Sequence, residues 1–123
     1  MDTNDISGLV VDAAVRVHKA IGPGLLESAY EACLMHALTK KGLQVEAQVP
    51  MPIKFEDVYI DVGYRIDLLV ERRVVVELKT VARLAPIHEA QILSYIRLGD
   101  FPVGLLLNFN VPTMREGIIR FAN

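Results

Sequence analysis

The sequence predicts an α/β domain built on a mixed central β-sheet flanked by helices. Three observations predict it. Apolar residues recur at helical spacing through roughly the first forty positions, then switch to a period of two from residue 43. Two nearly unbroken apolar runs follow, Tyr64–Val70 and Val74–Thr80, of the kind found in strands covered on both faces. A helical segment then separates the second run from another, Val103–Phe109, and such a strand–helix–strand connection closes as a parallel crossover.

Ile6, Leu9, Val10, Ala13, Val17 and Ile21 form the apolar face of a first helix over residues 5–21, with Asp5, Asp12, Arg16 and Lys19 elsewhere on its surface. Gly22-Pro23-Gly24 ends it. A second helix runs from about Leu25 to Lys41, with Leu26, Ala29, Tyr30, Cys33, Ala37 and Leu38 as its stripe. Lys40 and Lys41 suit its C-terminus, and Gly42 the position beyond. Leu43, Val45, Ala47 and Val49 alternate with Gln44, Glu46 and Gln48, the pattern of a half-buried strand. Ile53–Phe55 and Val58–Val62 read as a hairpin around Glu56-Asp57, and Gly63 as a bulge or bend. Pro86 suits the first turn of a third helix, which Gly99 ends after about Leu98. Gly117–Phe121 reads as a last edge strand, giving the order ααββββαβ(β).

At 123 residues the chain has the length of one domain, residues 1–123, since compact domains cluster around ~100–150 residues. A hydrophobic content of 52% excludes an intrinsically disordered chain. Thirteen Lys and Arg against fifteen Asp and Glu leave a formal charge of −2, which excludes a surface gripping nucleic acid everywhere but leaves room for a local basic patch. A single cysteine, Cys33, excludes an internal disulfide framework and a four-cysteine zinc site. The N-terminus is acidic where a secretory signal is basic, and no apolar run approaches the ~18 residues of a membrane span. A soluble cytoplasmic protein is therefore expected.

The charged residues inside the two central runs are the most informative. Charges in such strands are costly unless paired or bound to a metal. Pairing Val70 with Val74, Leu68 with Val76 and Ile66 with Leu78 makes one wholly apolar face and implies the loop Glu71-Arg72-Arg73. The same register sets Asp67 opposite Glu77 and Arg65 opposite Lys79. Opposed carboxylates repel, and a divalent cation between them removes the repulsion. Lys79 projects toward the same place, where a positive group can orient an attacking water and offset charge on a phosphate. The competing reading is a mixed-charge surface cluster in which Lys79 pairs diagonally with Asp67.

Gln91 and Tyr95 are four apart on the third helix and share a face, suited to a phosphate or a nearby water. Glu27 sits in the first turn of the second helix, where an acid also has a purely structural reason to be. His18, His36 and His88 lack metal-type spacing and read as ordinary surface or packing residues.

Gly24-Leu25-Leu26-Glu27-Ser28-Ala29-Tyr30 matches the signature of the GxxExxY protein family. The segments Gly63–Val70, Val76–Lys79, Gln91–Tyr95 and Leu107–Phe109 also resemble that family, which is placed in the PD-(D/E)XK nuclease superfamily. The resemblance runs from about residue 5 to 121. It implies a restriction-endonuclease-like core with its metal site on two neighbouring strands. By position, Asp67 resembles the first metal-binding acid, Glu77 and Lys79 the (D/E)XK pair, Gln91 and Tyr95 the QxxxY element of RecB-like nucleases, and Glu27 the extra acid on the first core helix. The proline that often precedes the first Asp is replaced by Ile66.

The expected function is a Mg²⁺- or Mn²⁺-dependent nuclease acting on nucleic acid, DNA ahead of RNA. Asp67, Glu77 and Glu27 are the metal candidates, Lys79, Gln91 and Tyr95 complete the pocket, and Arg65, Arg72, Arg73 and Arg83 are candidate phosphate contacts. The alternatives are a catalytically silent nucleic-acid-binding or regulatory protein that keeps the fold, and an interaction protein whose charged cluster is structural. The apolar fraction is compatible with a homodimer.

Overall fold

The Asp2 side chain accepts the Asp5 amide at 2.8 Å and the Asp5 side chain accepts the Asp2 amide at 3.1 Å, a reciprocal cap that starts the first helix. In the computed structural model, which describes residues 1–123, that helix is α1, Thr3–Ile21. The remaining elements are α2 (Glu27–Lys40), β1 (Val45–Pro50), β2 (Ile53–Phe55), β3 (Val58–Ile60), β4 (Arg65–Val70), β5 (Val74–Lys79), α3 (Pro86–Leu98), β6 (Val103–Asn108), a single 3₁₀ turn (Met114–Gly117) and β7 (Ile118–Ala122). Five strands separate α2 from α3, matching the five segments read from the sequence with the hairpin counted as two, where the order ααββββαβ(β) counts four.

The main sheet has five strands in the order β1-β4-β5-β6-β7. Only β5 and β6 run parallel, and α3 is the crossover between them. The β2–β3 hairpin forms a separate two-stranded sheet. One buried cluster packs α1 and α2, through Val10, Ala13, Leu34 and Leu38, on Leu68, Val76, Leu105 and Leu107. A second packs Ile92, Tyr95 and Ile96 of α3 on Leu69, Val75 and Leu106. Close approach of α3 is possible because β6 carries Gly104 on that side, where a Cβ would stand 3.0 Å from both Ile92 and Ile96.

Val70↔Val74 and Leu68↔Val76 pair as expected around the Glu71-Arg72-Arg73 loop. The ladder then stops, and the expected pairs Asp67–Glu77, Ile66–Leu78 and Arg65–Lys79 are not part of it. Ile66 also leaves the predicted face: Leu68 packs under α1 and α2, but Ile66 packs with α3. The cause lies in the neighbouring strand. Gln48, opposite Asp67, adopts a φ of +53° and is the one level skipped in the β1–β4 register. A left-handed residue in a strand breaks the alternation of sides. Val45 accordingly packs toward α1 and α2, and Val49 toward α3. Both strands roll over at the level of Gln48 and Asp67.

The turn between α1 and α2 is held from inside. Gly22 (φ +69°) and Gly24 (φ +101°) take conformations that side chains disfavour. The fully buried Tyr30 donates its hydroxyl to the Gly22 carbonyl at 2.6 Å and accepts the Leu25 amide at 3.2 Å. Its ring stacks on Phe109 with centroids 4.4 Å apart. Leu26, expected on the buried stripe, is instead 77% exposed, because the helix begins only after it. Tyr30→Phe should lower unfolding stability by about 1–3 kcal/mol, since it strips two part-buried backbone groups of their partner. Urea denaturation should record this as a lower midpoint with an unchanged slope.

Candidate active site

Where the β4–β5 ladder ends, side chains take over from the backbone. The Glu77 carboxylate accepts the Asp67 amide at 2.9 Å, and the Asp67 carboxylate accepts the Leu78 amide at 2.9 Å. Each acid thus ties down the strand that carries the other. Glu77 is only 3% exposed. Its pKa is pushed up to about 9, first by burial and then by the negative charge of Asp67. Lys79, half-buried two residues on, favours the charged form of Glu77 but makes no ion pair with either acid. The surface-cluster reading, with Lys79 paired to Asp67, therefore does not describe this site.

Helix α3 brings Gln91 and Tyr95 to the same place. The Gln91 amide donates to the Tyr95 hydroxyl at 3.0 Å, which leaves the phenol O–H free to donate elsewhere. Burial raises the Tyr95 pKa, and the charges of Glu77 and Asp67 raise it further, so both acids lie within electrostatic reach. Tyr64, just before β4, meets Tyr95 edge-on at 6.3 Å.

Helix α2 contributes from the other side, chiefly through a residue that the sequence reading passed over. Glu31 accepts the Gln48 side-chain amide at 2.7 Å, and the same amide reaches Asp67 at 3.3 Å. The Glu31 pKa is raised by burial and by the charges of Asp67 and Glu27, against the hydrogen bond from Gln48. Glu27 is exposed and stands one helical turn before Glu31, so it adjoins the acids through Glu31. The signal for Glu31 was its i+4 spacing from Glu27. For Gln48 there was none beyond its place in β1.

The four arginines divide. Arg65, at the start of β4, donates to the Tyr64 carbonyl at 2.9 Å and lies 3.5 Å from Asp61. Arg83 is exposed in the loop that follows Lys79. Arg72 grips Glu46 with contacts of 2.6 and 2.9 Å, and Arg73 donates to the Met1 carbonyl at 2.8 Å. These two sit at the β4–β5 turn, at the far end of the strands from the acids, roughly 13 Å or more away at ~3.3 Å per residue. The structure does not bring Arg72 and Arg73 to the site. Buried Asn108 pins the loop leaving Lys79, accepting the Val81 amide at 3.1 Å and donating to the Val81 carbonyl at 2.9 Å.

No three His, Cys, Asp or Glu side chains gather closely enough to form a complete metal cage. The donor set present is two carboxylates, each with one oxygen held by an amide. Gln48 meets the other oxygen of Asp67, and a side-chain hydrogen bond between the two carboxyl groups adds to the rise in the Glu77 pKa. Hard oxygen donors in that number fit a cation that completes its shell with waters and phosphate.

A family model of PD-(D/E)XK nucleases matches residues 4–121. The chain belongs to the PD-(D/E)XK nuclease superfamily. No curated protein and no solved structure gave a match. The mixed five-stranded sheet and three helices agree with the restriction-endonuclease-like architecture of PD-(D/E)XK nucleases. Such nucleases generally use divalent metal ions, and the superfamily implies a nucleic-acid substrate. No helix of the chain is long and apolar enough to cross a membrane.

The electrostatics set a pH dependence for the metal-free protein. The Glu77 pKa rises from 4.5 to about 9 on folding, so its contribution to stability is complete below about 4.5 and is lost as pH climbs through 9. In EDTA the Tm should fall steadily from pH 5 to pH 9, and Glu77→Gln should flatten that slope. Scanning calorimetry across the range checks both.

Proposed function

We propose that this chain is a Mg²⁺- or Mn²⁺-dependent nuclease that hydrolyses phosphodiester bonds. The observation that carries this reading is the reciprocal pair of Asp67 and Glu77. Two carboxylates are held face to face at a sheet end, one of them almost wholly buried, with no cationic side chain bonded to either. Asp67 and Glu77 would hold the ion. Glu31, with Glu27 behind it, adds negative charge on the α2 side, and Gln48 links Glu31 to Asp67. A divalent cation bound there supplies Lewis-acid polarisation of a phosphate oxygen and makes water more acidic.

The chain's own groups do the rest. Lys79 orients the attacking water and offsets negative charge growing on the phosphate, acting as a point charge from a half-buried position. The Tyr95 hydroxyl, held by Gln91, donates to a phosphate oxygen. Its raised pKa keeps it a neutral donor across the working range. Arg65 and Arg83, at the same end of the sheet, contact flanking phosphates. Asn108 holds the β5–α3 loop in place behind Lys79.

The test is incubation of single- and double-stranded DNA and RNA with the protein and Mn²⁺. Glu77→Ala should abolish cutting, and Lys79→Ala should lower it on the order of 10²-fold or more while leaving metal binding by calorimetry intact. Cutting that survives both substitutions would sink the assignment, and binding without any cutting would favour a silent, regulatory protein. Glu31→Gln should weaken Mn²⁺ binding by about 10- to 100-fold, the usual effect of losing a group that orients or supports a ligand. Titration calorimetry measures it directly.

A further inference from the structure

A groove of about 470 Å³ runs between the exposed side of α3 and the chain entering β2 and β4. Met51, Ile53, Tyr64, Ile87, Tyr95 and Leu98 make it predominantly apolar, and Gln91 and Ser94 are its polar groups. Tyr95 and Gln91 belong to the groove and to the acid site alike, so the groove opens directly beside the place where a phosphate would be cut. An apolar slot with a few polar groups suits a flat aromatic ligand with polar edges. Tyr64, on its wall, is 44% exposed and stands edge-on to Tyr95 at 6.3 Å.

Phe55, on the same side of the hairpin as the groove-lining Ile53, is 65% exposed, and Arg65 follows Tyr64 at the start of β4. Lys54 and Tyr59 pair on the other side of the hairpin. Exposed rings with a cation beside them suit a single-stranded polynucleotide, since bases stack on rings while cations follow the phosphates. A base inside a duplex is stacked and paired and cannot enter such a groove.

We propose that this groove seats an unpaired base next to the phosphate under attack, so that the site takes single-stranded or frayed nucleic acid in preference to intact duplex. This rests on the nuclease reading above. Continuity with the acid site, and Arg65 beside Tyr64, favour a nucleotide over a second copy of the chain as the occupant.

The experiment pairs binding and cutting on the full chain. Fluorescence anisotropy in metal-free buffer compares labelled single-stranded and duplex oligonucleotides, and Mn²⁺-dependent cleavage compares the same pair. Single strands should bind and be cut preferentially. Tyr64→Ala should weaken single-strand binding on the order of 10- to 100-fold, as expected for loss of one base–aromatic stack. Tyr64→Phe should keep it, because the ring suffices, and Ser94→Trp should lower it by filling the groove from α3. Equal binding and cutting of duplex and single strand, unmoved by Tyr64→Ala and Ser94→Trp, would overturn the proposal and leave the nuclease reading standing. Sedimentation that finds a dimer made monomeric by Tyr64→Ala would also overturn it, assigning the groove to a second copy. Failure of the nuclease reading has a different signature, namely no cutting of any substrate, with the anisotropy comparison still deciding the groove.

Discussion

Two carboxylates placed at one end of a sheet impose the constraint on which the rest depends. Asp67 and Glu77 cannot be paired by an ordinary ladder without forcing their charges together. The strands instead part after Leu68 and Val76, and each carboxylate accepts a main-chain amide across the gap. Those amides keep the backbone satisfied and aim the side chains, but they do not offset the cost of burying a charge, so Glu77 holds its proton up to about pH 9. The break coincides with the left-handed Gln48 of β1, opposite Asp67, where both strands change sides. Strain of this kind persists only where the surrounding packing over-determines it. Here that packing is the two apolar clusters on either face of the sheet.

The helices are positioned to serve this gap from opposite sides. Helix α2 reaches it with Glu31, and its first turn is located by the Tyr30 hydroxyl on the preceding turn and by the Tyr30 ring on Phe109. Helix α3 reaches it with Tyr95 and is seated by the absence of a side chain at Gly104. In the Gly24–Tyr30 segment the tyrosine is therefore structural, a clamp on the turn, and the glutamate is one helical turn short of the acids. The carboxylate nearest to Asp67 on that helix is four residues further along.

Much of this was legible from the residues. Pro86 and Gly99 bracket a helix because one fits a first turn and the other ends a last turn, and α3 runs from Pro86 to Leu98 as read. The Val70–Val74 register followed from matching apolar faces. Asp67 and Glu77 stand out as charges inside apolar runs, and Gln91 and Tyr95 as a pair four apart on one helix face. The misses share a cause. Ile66 was placed on the wrong face because alternation assumes an unbroken strand, and nothing in Gln48 announces a left-handed turn. Glu31 gains its place only from β1, whose Gln48 packs beside it, a contact that no local pattern announces. Arg72 and Arg73 are close to Asp67 along the chain but are carried away by the length of β4.

The amide protons of Asp67 and Leu78 have a distinct dynamic status. Every interior amide of a regular sheet is protected by another strand's carbonyl, so its exchange with solvent reports on unzipping of the ladder. These two are protected by carboxyl groups instead, and one of those, Glu77, loses its proton only near pH 9. Their exchange is set by how firmly two side chains are held, independently of the strand registry a few residues away. The chain thus contains a pair of built-in probes that register the charge state of the acids without any nucleic acid present.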